Sequence, residues 1–128
     1  MIPLDQRDLS LHMAEFFANV RYEDLPPDAI EGAKKSILDS FGICLAASGR
    51  EPAAQALVEF VLESGGKPES SVFGFGGKVP AVMAALANGA MIHSLDYDDQ
   101  TPWGQHSGLT LLPAVFAAAE RRGGVSGK

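Results

Sequence analysis

Val82-Met83-Ala84-Ala85-Leu86-Ala87-Asn88-Gly89-Ala90-Met91-Ile92 runs eleven residues without a charge. A run of that length and uniformity reads as a buried helix. Val79-Pro80 places proline at its start, and the pattern carries it to about Leu95. Working outward, Leu9, Met13, Phe16, Phe17 and Val20 keep helical spacing after Asp8 or Ser10 as cap, so a first helix is expected over 9–20. Pro26-Pro27-Asp28 opens a second, of about five turns, that ends near Ser48-Gly49. Its interior Gly42 predicts close approach of another backbone. Pro52 to Leu62 gives a third, closed by Ser64-Gly65-Gly66. The last covers about Leu111 to Arg122, with Pro113 in its first turn and Gly123-Gly124 after it. Between the third and fourth, Ser70 to Gly77 is glycine-rich and short. It reads as an extended connection with at most a very short strand near 71–75. No Gly-Lys-Ser/Thr follows those glycines, so a phosphate loop is not expected. The fold class is all-α, a bundle of about five helices.

Composition narrows the function classes. The 128 residues are 46% apolar and 20% charged, within the globular range. A net charge of −6 offers no basic stripe for nucleic acid or for an anionic membrane. The start carries Asp5, Arg7 and Asp8 rather than a basic-then-apolar leader, and no run reaches the ~18 apolar residues of a membrane span, so a cytoplasmic location is expected. The lone Cys44 falls in an apolar helical segment and reads as a small buried hydrophobe. Val125-Ser126-Gly127-Lys128 reads as a loop leading toward another helix.

Chemistry concentrates just after the apolar run. His93-Ser94-Leu95-Asp96-Tyr97-Asp98-Asp99 and then His106 put three carboxylates and two imidazoles into fourteen residues. On a helix continued to Asp96, Gly89, His93 and Asp96 share a face flanked by Asn88. Such a face is either a polar pocket wall or a helix-packing surface with Asn88 bonded to a neighbouring loop. Negative charge at a helix C-terminus is disfavoured by ~0.3–1 kcal/mol, which argues that the cluster has a use. Asp96 and His106 form the sharper pair, an imidazole for proton transfer and a carboxylate to orient it. Asp98 and Asp99 are expected to solvate the turn or bond local amides, and His93 to be a core histidine or a ligand contact. Two histidines and three aspartates are metal-ligand types, but the spacing lacks a His-x-x-x-His pair, a Cys cluster or an evident third ligand, so no metal is expected. Gly104 would make the connecting loop flexible, with Trp103 anchoring it or shielding a ligand.

These residues resemble a known family. Ala87-Asn88-Gly89-Ala90, His93-Ser94-Leu95-Asp96-Tyr97-Asp98-Asp99, His106 and Leu112-Pro113-Ala114 resemble the signature of the MmgE/PrpD family, which includes 2-methylcitrate dehydratase, cis-aconitate decarboxylase and iminodisuccinate epimerase. Leu25-Pro26-Pro27-Asp28-Ala29, Leu38-Asp39-Ser40-Phe41-Gly42 and Ala119-Glu120-Arg121-Arg122-Gly123-Gly124 extend the likeness in family order. The resemblance implies the first part of a helical domain over 1–128, whose remainder and α/β lid lie outside it. It implies a small di- or tricarboxylate substrate, no cofactor, and a homodimer or complementary chain as partner.

For the site, the resemblance implies Asp96 and His106 as active-site residues, with Asn88, His93 and Gln100 as secondary contacts. Gln100 stands where the decarboxylase branch has threonine, and Ser107 where the family often has proline. The implied chemistry is removal of a proton next to a carboxylate with loss of water, or a related decarboxylation or epimerisation. Family catalysis also draws on lysine, histidine and tyrosine from later positions. Here the nearest cations are Lys78 and the distant Arg121-Arg122, although a polycarboxylate needs positive charge opposite it. A helical module that binds another subunit without catalysis is the alternative from a different class.

Overall fold

The computed structural model describes residues 8–127; Asp5, Arg7 and Lys128, used in the sequence reading, lie outside them. Five α-helices follow in order, α1 (Leu9–Asn19), α2 (Pro27–Arg50), α3 (Pro52–Ser64), α4 (Ala81–His93) and α5 (Ser107–Arg122). A 3-10 turn, Tyr22–Asp24, joins α1 to α2, and a hairpin of β1 (Ser70–Val72) and β2 (Gly77–Val79) joins α3 to α4. The all-α class holds. Among the described residues no helix is long and apolar enough to cross a membrane.

The helix starts follow local chemistry. Asp8 caps α1 by accepting from the Ser10 N–H at 3.1 Å, and Pro27 and Pro52 occupy first-turn positions where a missing N–H costs nothing. Helix α4 is the centre, packing against α2, α3, α5 and the hairpin. Its Ala84, Ala87 and Met91 are fully buried with Cys44, Ala47, Val58 and Val61. The Phe41, Phe73 and Phe116 rings, 4.8–6.3 Å apart, clip α2, the hairpin and α5 together. By contrast α1 buries no residue, and Phe16, Phe17, Val82 and Leu111 are all more than half exposed.

Three expectations change. The glycine-rich connection forms a strand pair, with Ser70 opposite Val79 and Val72 opposite Gly77. A two-stranded ribbon is marginal by itself, but helices α4 and α5 hold this one. The buried Asn88 accepts from the Phe73 N–H at 2.9 Å and donates to the Ser71 carbonyl at 3.0 Å, and the Ser70 hydroxyl donates to the Ala117 carbonyl at 2.7 Å. Gly42 is exposed with nothing within 4 Å of where a Cβ would stand, so it marks no helix contact. The close approach occurs at Gly89 instead, where an added Cβ would stand 3.3 Å from the Leu109 carbonyl oxygen and 3.7 Å from the Pro113 ring. Pro113 lies inside α5, not in its first turn, because that helix begins at Ser107. Lacking an N–H, Pro113 leaves the carbonyl four residues back without its helical donor, and α4 packs against that oxygen.

Candidate active site

Helices α4 and α5 pack as an antiparallel pair. Gly89 sits beside Pro113, while Ala81 and Ala85 share a groove with Ala117 and Arg121 at the other end. The loop 94–106 therefore begins and ends at one pole of the pair. Helix α4 stops at His93. The Asp96 N–H turns back to the His93 carbonyl at 2.8 Å, and Asp96 itself has φ +49°. This left-handed conformation is uncommon for residues other than glycine, but aspartate tolerates it better than most. Thr101 closes the far side: its N–H donates to the Gln105 carbonyl at 2.8 Å, its hydroxyl accepts from the Gln105 N–H at 3.1 Å, and its carbonyl accepts from Gly104 at 2.9 Å. Gly104, at φ +81°, is thus a defined turn position rather than a free joint.

The loop delivers three side chains to one point. His93 Nδ1 is 3.0 Å from Asp98 Oδ1, and His106 Nδ1 is 3.1 Å from Asp98 Oδ2. The Asp98 side chain is fully buried, at 0% exposure. A carboxylate only accepts, so both imidazoles donate through Nδ1–H, and neither Nε2 is spent on Asp98. The two rings meet edge to face with centroids 4.8 Å apart.

Asp99 caps α5. Its Oδ1 accepts from the Gly108 N–H at 2.8 Å and its Oδ2 from the Ser107 hydroxyl at 3.0 Å, where His106, the residue before the helix, supplies no side-chain cap. An added Cβ at Gly108 would fall 2.5 Å from Asp99 Oδ1 and 2.6 Å from the buried Ser40 hydroxyl, so only glycine admits this carboxylate. The acidic cluster thus sits at the positive end of α5, where negative charge is favourable.

The expected site residues separate accordingly. His93 and His106 come together, but on Asp98 rather than Asp96, because α4 ends before Asp96 can join its face. Asp96 and Gln100 are exposed on the loop. Asn88 is buried and its amide bonds the hairpin backbone at Ser71 and Phe73, the packing alternative of the sequence reading. Trp103 is 83% exposed and anchors nothing. Asp99 bonds a local amide as expected, whereas Asp98 does not. The signal for Asp98 was topological. Two packed sequential helices must bring His93 and His106 to the ends of one loop, leaving an acidic residue of that loop to bridge them. The same three side chains each bring a ligand atom within 4.8 Å of the others, the donor set of a two-histidine, one-carboxylate metal site. Their mutual hydrogen bonds already engage both Nδ1 atoms.

The comparisons with known proteins agree with the sequence signature. The MmgE/PrpD N-terminal domain matches residues 11–128. The chain belongs to the MmgE/PrpD family. Two cis-aconitate decarboxylases of Aspergillus terreus are 32% and 35% identical to it, over 88% and 80% of this chain but 23% and 21% of their own lengths. Cis-aconitate decarboxylase of Mus musculus is 28% identical over 79% of this chain and 21% of its own. This MmgE/PrpD domain therefore spans less than a quarter of the curated relatives it matches.

Lys78 and Arg121 of this MmgE/PrpD domain lie at the opposite pole, whereas Lys35 of α2 shares a surface depression with Asp99. Lys78 pairs with Glu120 at 3.6 Å and Arg121 with Glu69 at 3.5 Å. The rise of α5 puts Arg121 about 22 Å along the axis from His106. Desolvation pushes the Glu120 carboxyl up, but hydrogen bonds from the Ser71 N–H and hydroxyl, with Lys78 beside it, outweigh that and hold it below the usual range. Glu69 is also held low, chiefly by the Ala81 N–H. Burial alone pushes the Cys44 thiol up to about 11, which leaves it protonated and inert.

Proposed function

We propose that this domain supplies the proton-transfer wall of a lyase acting on a small di- or tricarboxylate, with His106 taking the proton next to a carboxylate as water is eliminated from a 2-methylcitrate-like substrate. The observation that carries this reading is one fully buried carboxylate holding two imidazoles by Nδ1, with both Nε2 atoms left for chemistry. A carboxylate behind an imidazole fixes its tautomer and stabilises the charge formed when it accepts a proton. Asp96, whose role rests on the family resemblance, and Gln100 are contacts at the rim. Beyond Lys35, beside Asp99, the cations that balance the substrate's charge come from the remainder of the fold, a second copy or a complementary chain.

Decarboxylation of cis-aconitate is the second reading, favoured by the names of the three relatives. It needs a proton delivered to the carbanion that loss of carbon dioxide leaves, a task the same histidine can perform. Intact protein given 2-methylcitrate should generate a new C=C absorbance, and given cis-aconitate should release carbon dioxide if the second reading holds. Loss of whichever activity is present in His106→Gln is expected. Full activity in that variant would overturn the assignment.

A further inference from the structure

The two histidines share a carboxylate but occupy opposite electrostatic positions. His93 is the last residue of α4, beside that helix's C-terminal carbonyls, whereas His106 immediately precedes α5, beside that helix's N-terminal N–H groups. Exposure differs too: the His93 side chain is 47% exposed and that of His106 20%, so His93 is the ring more open to water. Elimination of water from a hydroxy acid requires two proton movements, one off carbon and one onto the departing oxygen.

We propose that His93 is the proton donor to the leaving hydroxyl, that His106 is the base at carbon, and that Asp98 is the positioning residue that ties the two rings to one carboxylate. This inference rests on the lyase reading above and assigns its second proton.

The step balances within the triad. At the start His93 is protonated on both nitrogens and His106 on Nδ1 alone. The C–H bond breaks, its proton goes to Nε2 of His106, and the electron pair left behind forms the C=C. The C–O bond breaks with its pair on oxygen, which takes the Nε2 proton of His93 and leaves as water. The imidazolium has moved from one ring to the other while the charge around Asp98 is unchanged, so the buried carboxylate is never left without a cation beside it. Water resets the pair by removing the proton from His106 and returning one to His93.

A leaving group that needs no proton tests this division of labour. With 2-methylcitrate, His93→Gln in the intact protein should lower kcat about 100-fold, whereas with the analogue carrying fluorine in place of the hydroxyl it should stay within about three-fold of wild type. His106→Gln should lose about 100-fold on both substrates. Equal loss by His93→Gln on the two substrates would mean that His93 only supports the fold, and no loss on either would mean that it moves no proton; both overturn the proposal. Wild-type protein inert toward both substrates would instead overturn the dehydration reading, and this inference with it.

Discussion

The two poles of the α4–α5 pair are built from the same ingredients and differ in what each carboxylate faces. At one pole Glu69 and Glu120 meet Arg121, Lys67 and Lys78 near the surface, as side chains of fixed charge. At the other the Asp98 side chain is wholly buried and meets two imidazoles, rings that can both donate and accept a hydrogen bond. Exposed ion pairs contribute little beyond fastening elements together, typically ~0–1 kcal/mol. A buried carboxylate shared by two rings instead fixes where protons sit. The first pole is a clasp between the hairpin and α5, and the second is a place where a proton can be moved.

Exchanging the poles' roles by mutation is the sharpest way to break the comparison. Asp98→Asn should lower kcat of the intact protein by about 10–100-fold, as losses of groups that orient a functional histidine do, while Glu120→Gln should leave kcat unchanged. An equal loss in both variants would erase the distinction. Gly108→Ala should cost ~1–3 kcal/mol in denaturant unfolding, because its Cβ would strike Asp99 and Ser40. Gly42→Ala, in open space on α2, should stabilise by ~0.5–1 kcal/mol. A matching sign for these two glycines would contradict the packing described for the α5 start.

The clasp has a pH signature. Glu69 and Glu120 are held below their ordinary range, so their stabilisation is fully present above the unfolded carboxylate value of about 4.3 and is lost as pH falls through the lower folded values. Urea midpoints measured from pH 6 to pH 3 should therefore fall on the acid side, and Glu120→Gln should flatten that limb. The smallest effect concerns Cys44. Its buried thiol, pushed up to about 11, should resist iodoacetamide at neutral pH in the folded chain and react once urea unfolds it.

Helix identities were legible because apolar spacing and the proline starts act locally: α1, α2 and α3 begin within a residue or so of where Asp8, Pro27 and Pro52 predict. The hairpin was under-read because its support is remote. Asn88 and Ala117 hold β1 from 17 and 47 residues away. The site was legible as a cluster but not as a pairing. Extending α4 to Asp96 aligned that residue with His93, yet the helix ends at His93, and the turn at Asp96 sends Asp98 to both histidines. Helix-end electrostatics misled for the same reason, since Asp99 follows α4 in sequence but caps α5 in space.

Whether Asp98 holds both imidazoles through Nδ1 can be read by nitrogen-15 NMR of the histidine rings in solution alkaline enough that both are neutral. The Nδ1–H tautomer is expected for His93 and for His106, each lost in Asp98→Ala. Protonation of Nε2 on either ring in the wild-type protein would contradict it.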